Sequence, residues 1–461
     1  MTHSDTGPIH ATTAECPSGP PPAWGQPQRT VAHVLRKACR DHAGRVAVVE
    51  GKRRLTYAEL ERQATSIATW LHGRGLTTGA RVGIVSRNCL EFVIADLAIQ
   101  LGAFTRVGVS PRLSADEVVG ICNDAGIAAL FVDESWAARA SEISTRTAVS
   151  PLVVSFGAEV PGVVPLAGPP TATVGAALPE AAEDSAALLA YTSGTTGNTK
   201  GAVISQRAAF NVCRQVALAL PDVGAGDSIL HTAPLAHFVF AIVLSSLAHG
   251  GTQHVMAKFD AAALLDVVET EKVAVIPMVP TQVNMVVAEQ LARGRDVSSV
   301  RCIPYSAAPI AVGQLRTAIE VFGPVFVQLY AQSEVPPPLT VLSKQDHQRA
   351  LADGDERLLM SAGRPLPYVD VRVVDVDGND VAPGDLGEIL CRSETIMDGY
   401  WQDPTQTAHA FANDGWLATG DVGRLGSDGY LTIVDRRRSL IITGGYNVYP
   451  AEAERVIQQL R

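Results

Sequence analysis

The chain is poor in aromatic residues and in charge: Phe, Trp and Tyr make up 5% of its 461 residues, and Asp, Glu, Lys and Arg 18%. So little charge excludes a disordered polyelectrolyte, and 47% apolar residues suffice for a sizeable buried core. An excess of basic residues is also absent, since 37 Lys plus Arg against 47 Asp plus Glu leave a net charge of −10. Nucleic acid and anionic membrane are therefore not expected as partners, and an anionic ligand would need a local site. No segment approaches the roughly 18 apolar residues of a membrane span. The start, Met1 to Pro8, lacks the basic and then apolar pattern of an export signal. Seven cysteines lie scattered with no C-x-x-C pair, which indicates neither a zinc site nor a disulfide framework. A cytoplasmic location is expected. No G-x-S-x-G occurs and no G-x-G-x-x-G follows a strand, which disfavours a serine hydrolase and a dinucleotide oxidoreductase.

What is present is an alternation of strands and helices. Residues 1–28, rich in Pro, Gly, Ser and Thr, read as a tail outside the fold. Val31, Val34, Leu35, Ala38 and Cys39 fall at helical spacing. Thr56 with Glu59 and Ser114 with Glu117 fit capping boxes that open two further helices. Arg81–Ser86 and Ala128–Asp133 read as buried strands, and Leu90–Leu101 as a helix between them. The pattern predicts an α/β fold, with parallel strands joined by helical crossovers that cover both faces. Residues 157–182 read as a connection between two sheet halves. From about 365 the pattern changes to short strands with turns at Asp377-Gly378-Asn379 and Ser427-Asp428-Gly429, which predicts a β-rich subdomain.

The strand Ala186–Tyr191 runs straight into Thr192-Ser-Gly-Thr-Thr-Gly-Asn-Thr-Lys-Gly201. Glycines let backbone N–H groups turn onto an anion, hydroxyls add donors, and Lys200 adds a charge, so the loop suits a phosphate chain. It is not a Walker A loop, which would need Gly at position 199, where Thr stands. A run of this kind can also be a plain surface turn. The loop resembles the phosphate loop of the ANL adenylate-forming superfamily of acyl- and aryl-CoA ligases, peptide-synthetase adenylation domains and luciferases. The resemblance continues in chain order over residues 30–461.

It implies an ATP site built from Thr192, Ser193, Gly194, Thr195, Thr196, Gly197 and Lys200 of the loop, with the turn Ala307, Ala308 and Pro309. Pro277-Met-Val-Pro280 and Tyr305-Ser-Ala-Ala-Pro309 resemble the segments that frame substrate and adenine. Gln328-Leu-Tyr-Ala-Gln-Ser-Glu334 resembles the family's Tyr-Gly-x-Thr-Glu element: Tyr330 would stack on adenine, Ser333 keeps the hydroxyl, and Ala331 replaces the usual Gly. Glu334 would supply the one carboxylate that a nucleotide-bound Mg²⁺ takes from protein. Asp421, with Ile433 and Arg436, resembles the ribose-binding group. Each of these residues has an ordinary structural reading too, and the ordered set gives them their functional one. The acid pocket would be lined by His237, Phe238, Ser306, Ala307, Leu329, Ala331, Gln332 and Val335. Lys200, Glu334, Thr196 and His237 are the expected catalytic residues.

At the C-terminal junction Arg438 stands at the hinge position, Ser439 where an acidic residue is usual, and Asp435 where Gly is usual. The division expected is a tail at 1–28, an adenylating domain at 29–435 with its β-rich part at 365–435, and the start of a small C-terminal domain at 436–461. The family's C-terminal lysine has no counterpart before Arg461, so a truncated domain and weak adenylation are expected; such a cation is often worth about 10²- to 10³-fold.

The function implied is ATP- and Mg²⁺-dependent activation of a carboxylic acid, preferably aryl, followed by transfer to CoA. Alternatives are transfer to a carrier protein's phosphopantetheine, an unusual acceptor including nitrite activation toward an aryl amine, and a non-catalytic nucleotide-binding protein.

Overall fold

The computed structural model describes residues 29–157, 159–166, 177–192, 199–221, 223–224, 226–236, 239–437, 441–443 and 446–448. The expected tail at 1–28, the loop core Ser193–Asn198, the pair His237–Phe238 and Arg438–Ser439 lie outside these residues.

Local signals place the helices well. Val31–Asp41 is opened by Thr30, whose hydroxyl accepts from the His33 amide, and it buries Val31, Leu35, Ala38 and Cys39. Thr56 and Glu59 close a reciprocal cap before Tyr57–Gly73, as do Ser114 and Glu117 before Ala115–Ala125. In each, hydroxyl and carboxylate satisfy amides that the first turn leaves unpaired. Leu90–Leu101 is buried at every position except Glu91, as a helix enclosed between layers must be.

The connection at 157–182 does not separate two sheet halves, contrary to the sequence reading. One eight-stranded sheet draws strands from both sides of it, in the order Gly399–Tyr400, Lys200–Ser205, Ala186–Thr192, Thr105–Val109, Arg81–Val85, Ala129–Val132, Leu152–Ser155, Val164–Pro165. Strands 186–192 and 105–109 run parallel, while 200–205 and 399–400 add antiparallel. Neighbours in a crossover-linked sheet need not be neighbours in sequence.

A second sheet pairs early with later strands, Ser228–His231, Thr252–Val255, Val46–Glu50 and Arg53–Thr56. Single bridges from Ile229 to Val275 and from Val275 to Cys302 carry it toward a third set, Ile303–Tyr305, Phe326–Tyr330, Thr340–Leu342 and Arg364–Pro365. The strands Val369–Val374, Gly387–Ser393, Leu417–Leu425 and Leu431–Arg436 form an antiparallel sheet in the stretch where short strands are predicted. Among the described residues no helix is long and apolar enough to cross a membrane.

Candidate active site

Three strands meet where the sequence places a nucleotide. Strand Phe326–Tyr330 delivers Tyr330 and then turns through Ala331–Glu334, a turn closed by hydrogen bonds in both directions between the backbones of Gln332 and Val335. Strand Leu417–Leu425 carries Asp421, and its neighbour Leu431–Arg436 sets Arg436 directly opposite in the ladder. The Tyr330 hydroxyl donates to Asp421 Oδ2 at 2.6 Å, and Gln332 Nε2 donates to the same oxygen at 2.6 Å and to the Thr419 carbonyl at 3.0 Å. Arg436 Nε lies 3.3 Å from the other oxygen, Oδ1. Burial pushes the Asp421 carboxyl above its usual range, against the pull of Tyr330, Arg436 and Gln332. Burial beside that carboxylate also holds the Tyr330 phenol far above its ordinary value.

The second part of the site joins Glu334 to Lys200. Glu334 Oε1 accepts from the Tyr400 hydroxyl at 2.9 Å, and its backbone carbonyl accepts from the Met397 amide at 2.8 Å. Lys200 Nζ stands 5.1 Å from the centre of the same Tyr400 ring and donates to Gln406 Oε1. Tyr400 gets there because Gly399–Tyr400 pairs with strand Lys200–Ser205, and the Trp401 amide donates to the Gly201 carbonyl. The two stems of the phosphate loop are tied by a further group, in which Asp124 accepts from the Tyr191 hydroxyl and its carbonyl from Trp401 Nε1. Tyr400, Gln406 and Asp124 were not singled out from sequence. Their only signal is position in space, since Tyr400 lies 66 residues from Glu334.

Several expected residues make contacts that the sequence does not indicate. Gln332, expected beside the acid, donates to Asp421 and Thr419. Leu329 and Val335, also expected there, are packed in core clusters; strand alternation sends Leu329 to the face opposite Tyr330. Ser306 is buried at the end of strand Ile303–Tyr305, while Ala307, Ala308 and Pro309 are exposed in the turn that follows. Ala307 adopts φ +74°, a conformation costly for any residue with a Cβ. Ala331 and Ser333 are partly exposed in the turn, and Ile433 packs against the core from its strand. Pro280 opens helix Pro280–Ala292. Of the loop, the backbone of Thr192 and both Thr199 and Lys200 are described; His237, Phe238 and Arg438 are not.

Among the described residues no three His, Cys, Asp or Glu side chains gather into a metal cage. Mg²⁺ bound to a triphosphate takes most of its ligands from phosphate and water, so the single Glu334 carboxylate fits that mode of binding.

Residues 35–401 match the AMP-binding enzyme family. The chain is 33% identical over 439 residues to the medium/long-chain-fatty-acid–CoA ligase FadD8 of Mycobacterium tuberculosis, covering 93% of this chain and 75% of that protein. It is 32% identical over 420 residues to the indoleacetate–CoA ligase of Aromatoleum aromaticum, covering 90% of this chain and 80% of the relative. Among solved structures, the amide bond synthetase McbA from Marinactinospora thermotolerans superposes with a TM-score of 0.84 at 29% identity, over 93% of this chain and 84% of that one. The chain belongs to the AMP-binding enzyme family, within the ANL superfamily, and is an AMP-forming ligase of the acyl-CoA synthetase type.

Proposed function

We propose that this protein condenses a carboxylic acid, preferably an aromatic one, with ATP to an acyl-adenylate and transfers the acyl group to the thiol of CoA. The acid's carboxylate attacks the α-phosphorus in line, the bond to the bridging oxygen breaks, and pyrophosphate leaves. Charge on the departing pyrophosphate and on the α-phosphate is the main barrier to this step. Lys200 supplies a cation beside it, and the loop hydroxyls of Ser193, Thr195 and Thr196 supply donors. Mg²⁺, held by Glu334, would neutralise phosphate charge. Asp421 accepts from the ribose hydroxyls, with Arg436 opposite, and Tyr330 lies against the nucleoside. The turn Ala307–Pro309 borders adenine, and His237 and Phe238 wall the acid.

The observation that carries this reading is the junction of Lys200 and Glu334 on the two sides of Tyr400. A cation and a carboxylate that share one ring as partner support an assignment of the former to phosphate and the latter to Mg²⁺. The preference for an aromatic acid rests on His237-Phe238 and the small-residue turn at 306–309, which suit a flat ligand, and on likeness to an indoleacetate ligase. Likeness to an amide bond synthetase favours one second reading, in which an amine replaces the thiol as acceptor.

Acid-dependent exchange of labelled pyrophosphate into ATP, over a panel of aryl and alkyl acids, tests the first half. Exchange confined to aryl acids is expected, and no exchange with any acid overturns adenylation. Product analysis with CoA and with an amine as competing acceptors decides the second half, with the thioester expected.

A further inference from the structure

Segment 231–236 links strand Ser228–His231 to the pair His237–Phe238 and has almost no regular structure, yet its backbone is held by two buried side chains. Asn88, 4% exposed, donates from Nδ2 to the Ala233 carbonyl at 2.9 Å and toward the His231 carbonyl at 3.4 Å. Its Oδ1 accepts from the Leu235 amide at 2.9 Å. Arg106, 2% exposed, donates from Nη2 to the Leu235 carbonyl at 2.9 Å and from Nη1 toward the Ala236 carbonyl at 3.4 Å. Its Nε donates to Asp96 at 2.8 Å, which balances the buried charge. The guanidinium also lies 4.4 Å from the ring centre of Phe240, which follows residues 237–238 in the chain. One cation therefore contacts Leu235 and Ala236 just before that pair and Phe240 two residues after it.

A third residue makes the approach possible. A Cβ on Gly108 would fall 2.2 Å from the Ala236 carbonyl oxygen and 2.7 Å from Arg106 Nη1, so only glycine admits the segment this close to strand Thr105–Val109. Packing alone does not call for these polar groups, since a buried ion pair is often no more stabilising than apolar residues of the same volume. A guanidinium does what an apolar residue cannot: its planar fork fixes two carbonyls and a carboxylate at once, which a lysine does not reproduce.

We infer that Asn88, Arg106 and Gly108 are positioning residues that seat segment 231–236 and thereby set which acids the protein accepts. The inference rests on the proposed placement of the acid beside His237 and Phe238.

The test compares Arg106→Lys, Asn88→Ala and Gly108→Ala with the parent protein. Arg106→Lys keeps the charge beside Asp96 and loses the fork, and Gly108→Ala removes no polar group but crowds the Ala236 carbonyl, so each variant covers a folding failure in another. Amide hydrogen exchange over 231–236 is expected to quicken about tenfold or more, with other segments unchanged. In pyrophosphate exchange, KM for the acid is expected to rise about tenfold and the ranking of acids to change, while KM for ATP stays within twofold. Equal rises in both KM values, or an unaltered acid ranking in a folded variant with faster exchange at 231–236, would overturn the role in acid choice. Unchanged exchange at 231–236 would overturn the seat itself. Because hydrogen exchange needs no substrate, a parent protein that adenylates no acid would count against the proposed function and still leave the seat to be judged.

Discussion

Ala307 has φ +74° in the turn that follows strand Ile303–Tyr305, with no glycine to relieve it. A left-handed conformation costs a residue with a Cβ roughly 1–2 kcal/mol, and glycine's larger unfolded-state entropy returns about half of that on substitution. Ala307→Gly should therefore stabilise the protein by about 0.5–1 kcal/mol, seen as a rise in Tm of about 2 °C, while loosening the turn and weakening ATP binding. A fall in Tm would show that the turn carries no such strain. Asp421 presents the opposite balance. Its carboxyl is raised by burial, so the folded state binds a proton more readily than the unfolded chain, and the contribution of this group is lost as pH rises through its folded value. At neutral pH the buried charge thus lowers stability, and Asp421→Asn should raise Tm at pH 7, an advantage that fades on acidification toward pH 4. The same variant should lose most ATP affinity, because an amide has one acceptor oxygen and an NH₂ donor where the carboxylate offers two charged acceptors to the ribose hydroxyls. If Tm at pH 7 fell instead, the bonds from Tyr330, Gln332 and Arg436 would outweigh the cost of burying the charge.

The two-residue strand Gly399–Tyr400 shows how one short element completes a site. Gly399 has φ +153°, and a Cβ there would lie 2.7 Å from Thr407 Cγ2, so the chain passes close to helix Pro404–Ala410. Pairing with strand Lys200–Ser205 then carries the Tyr400 hydroxyl to Glu334 and the ring to Lys200. Tyr400→Phe removes the hydroxyl and keeps the ring. Adenylation should fall about tenfold, as for loss of a hydrogen bond to a charged group, worth about 1.5 kcal/mol or more. Lys200→Ala and Glu334→Ala should each reduce it further, and a Tyr400→Phe variant with full activity would remove Tyr400 from the site. This element was illegible in the sequence because its meaning lies in a pairing across about two hundred residues. The caps at Thr56 and Ser114, the helix at 90–101 and the strand before the phosphate loop were legible, since their signals lie within one element. Gln332, Leu329 and Val335 show the limit between the two: a motif fixes the order of residues, while strand alternation and the nearest partner decide where each side chain goes.

Across the whole molecule, the second sheet carries a dependence on pH that lies outside the nucleotide site. Its strands Ser228–His231 and Thr252–Val255 run side by side, with His231 paired to Val255 and His254 to Leu230, so two buried imidazoles stand one register step apart. Burial lowers both to about 4; Gln253 pulls His231 the other way, as Glu271 pulls His254, and the nearness of the two rings adds to the shift at His231. The ordinary value is 6.5, so both stay neutral in the fold while the unfolded chain takes up protons between pH 6.5 and 4. The stability these groups lend is complete above pH 6.5 and is lost as pH falls toward 4. At about 1.4 kcal/mol for each unit, either histidine accounts for about 3 kcal/mol over that interval, a large share of the 5–15 kcal/mol that stabilises an ordinary domain. Acidification should therefore lower the urea midpoint steeply between pH 6.5 and 4.5. His231→Gln keeps a donor for Gln253 Oε1 and cannot take up a proton, so with His254→Gln it should flatten the decline. A double variant that declines as steeply as the parent would move the acid sensitivity from this sheet to the carboxylates, whose protonation sets in at lower pH.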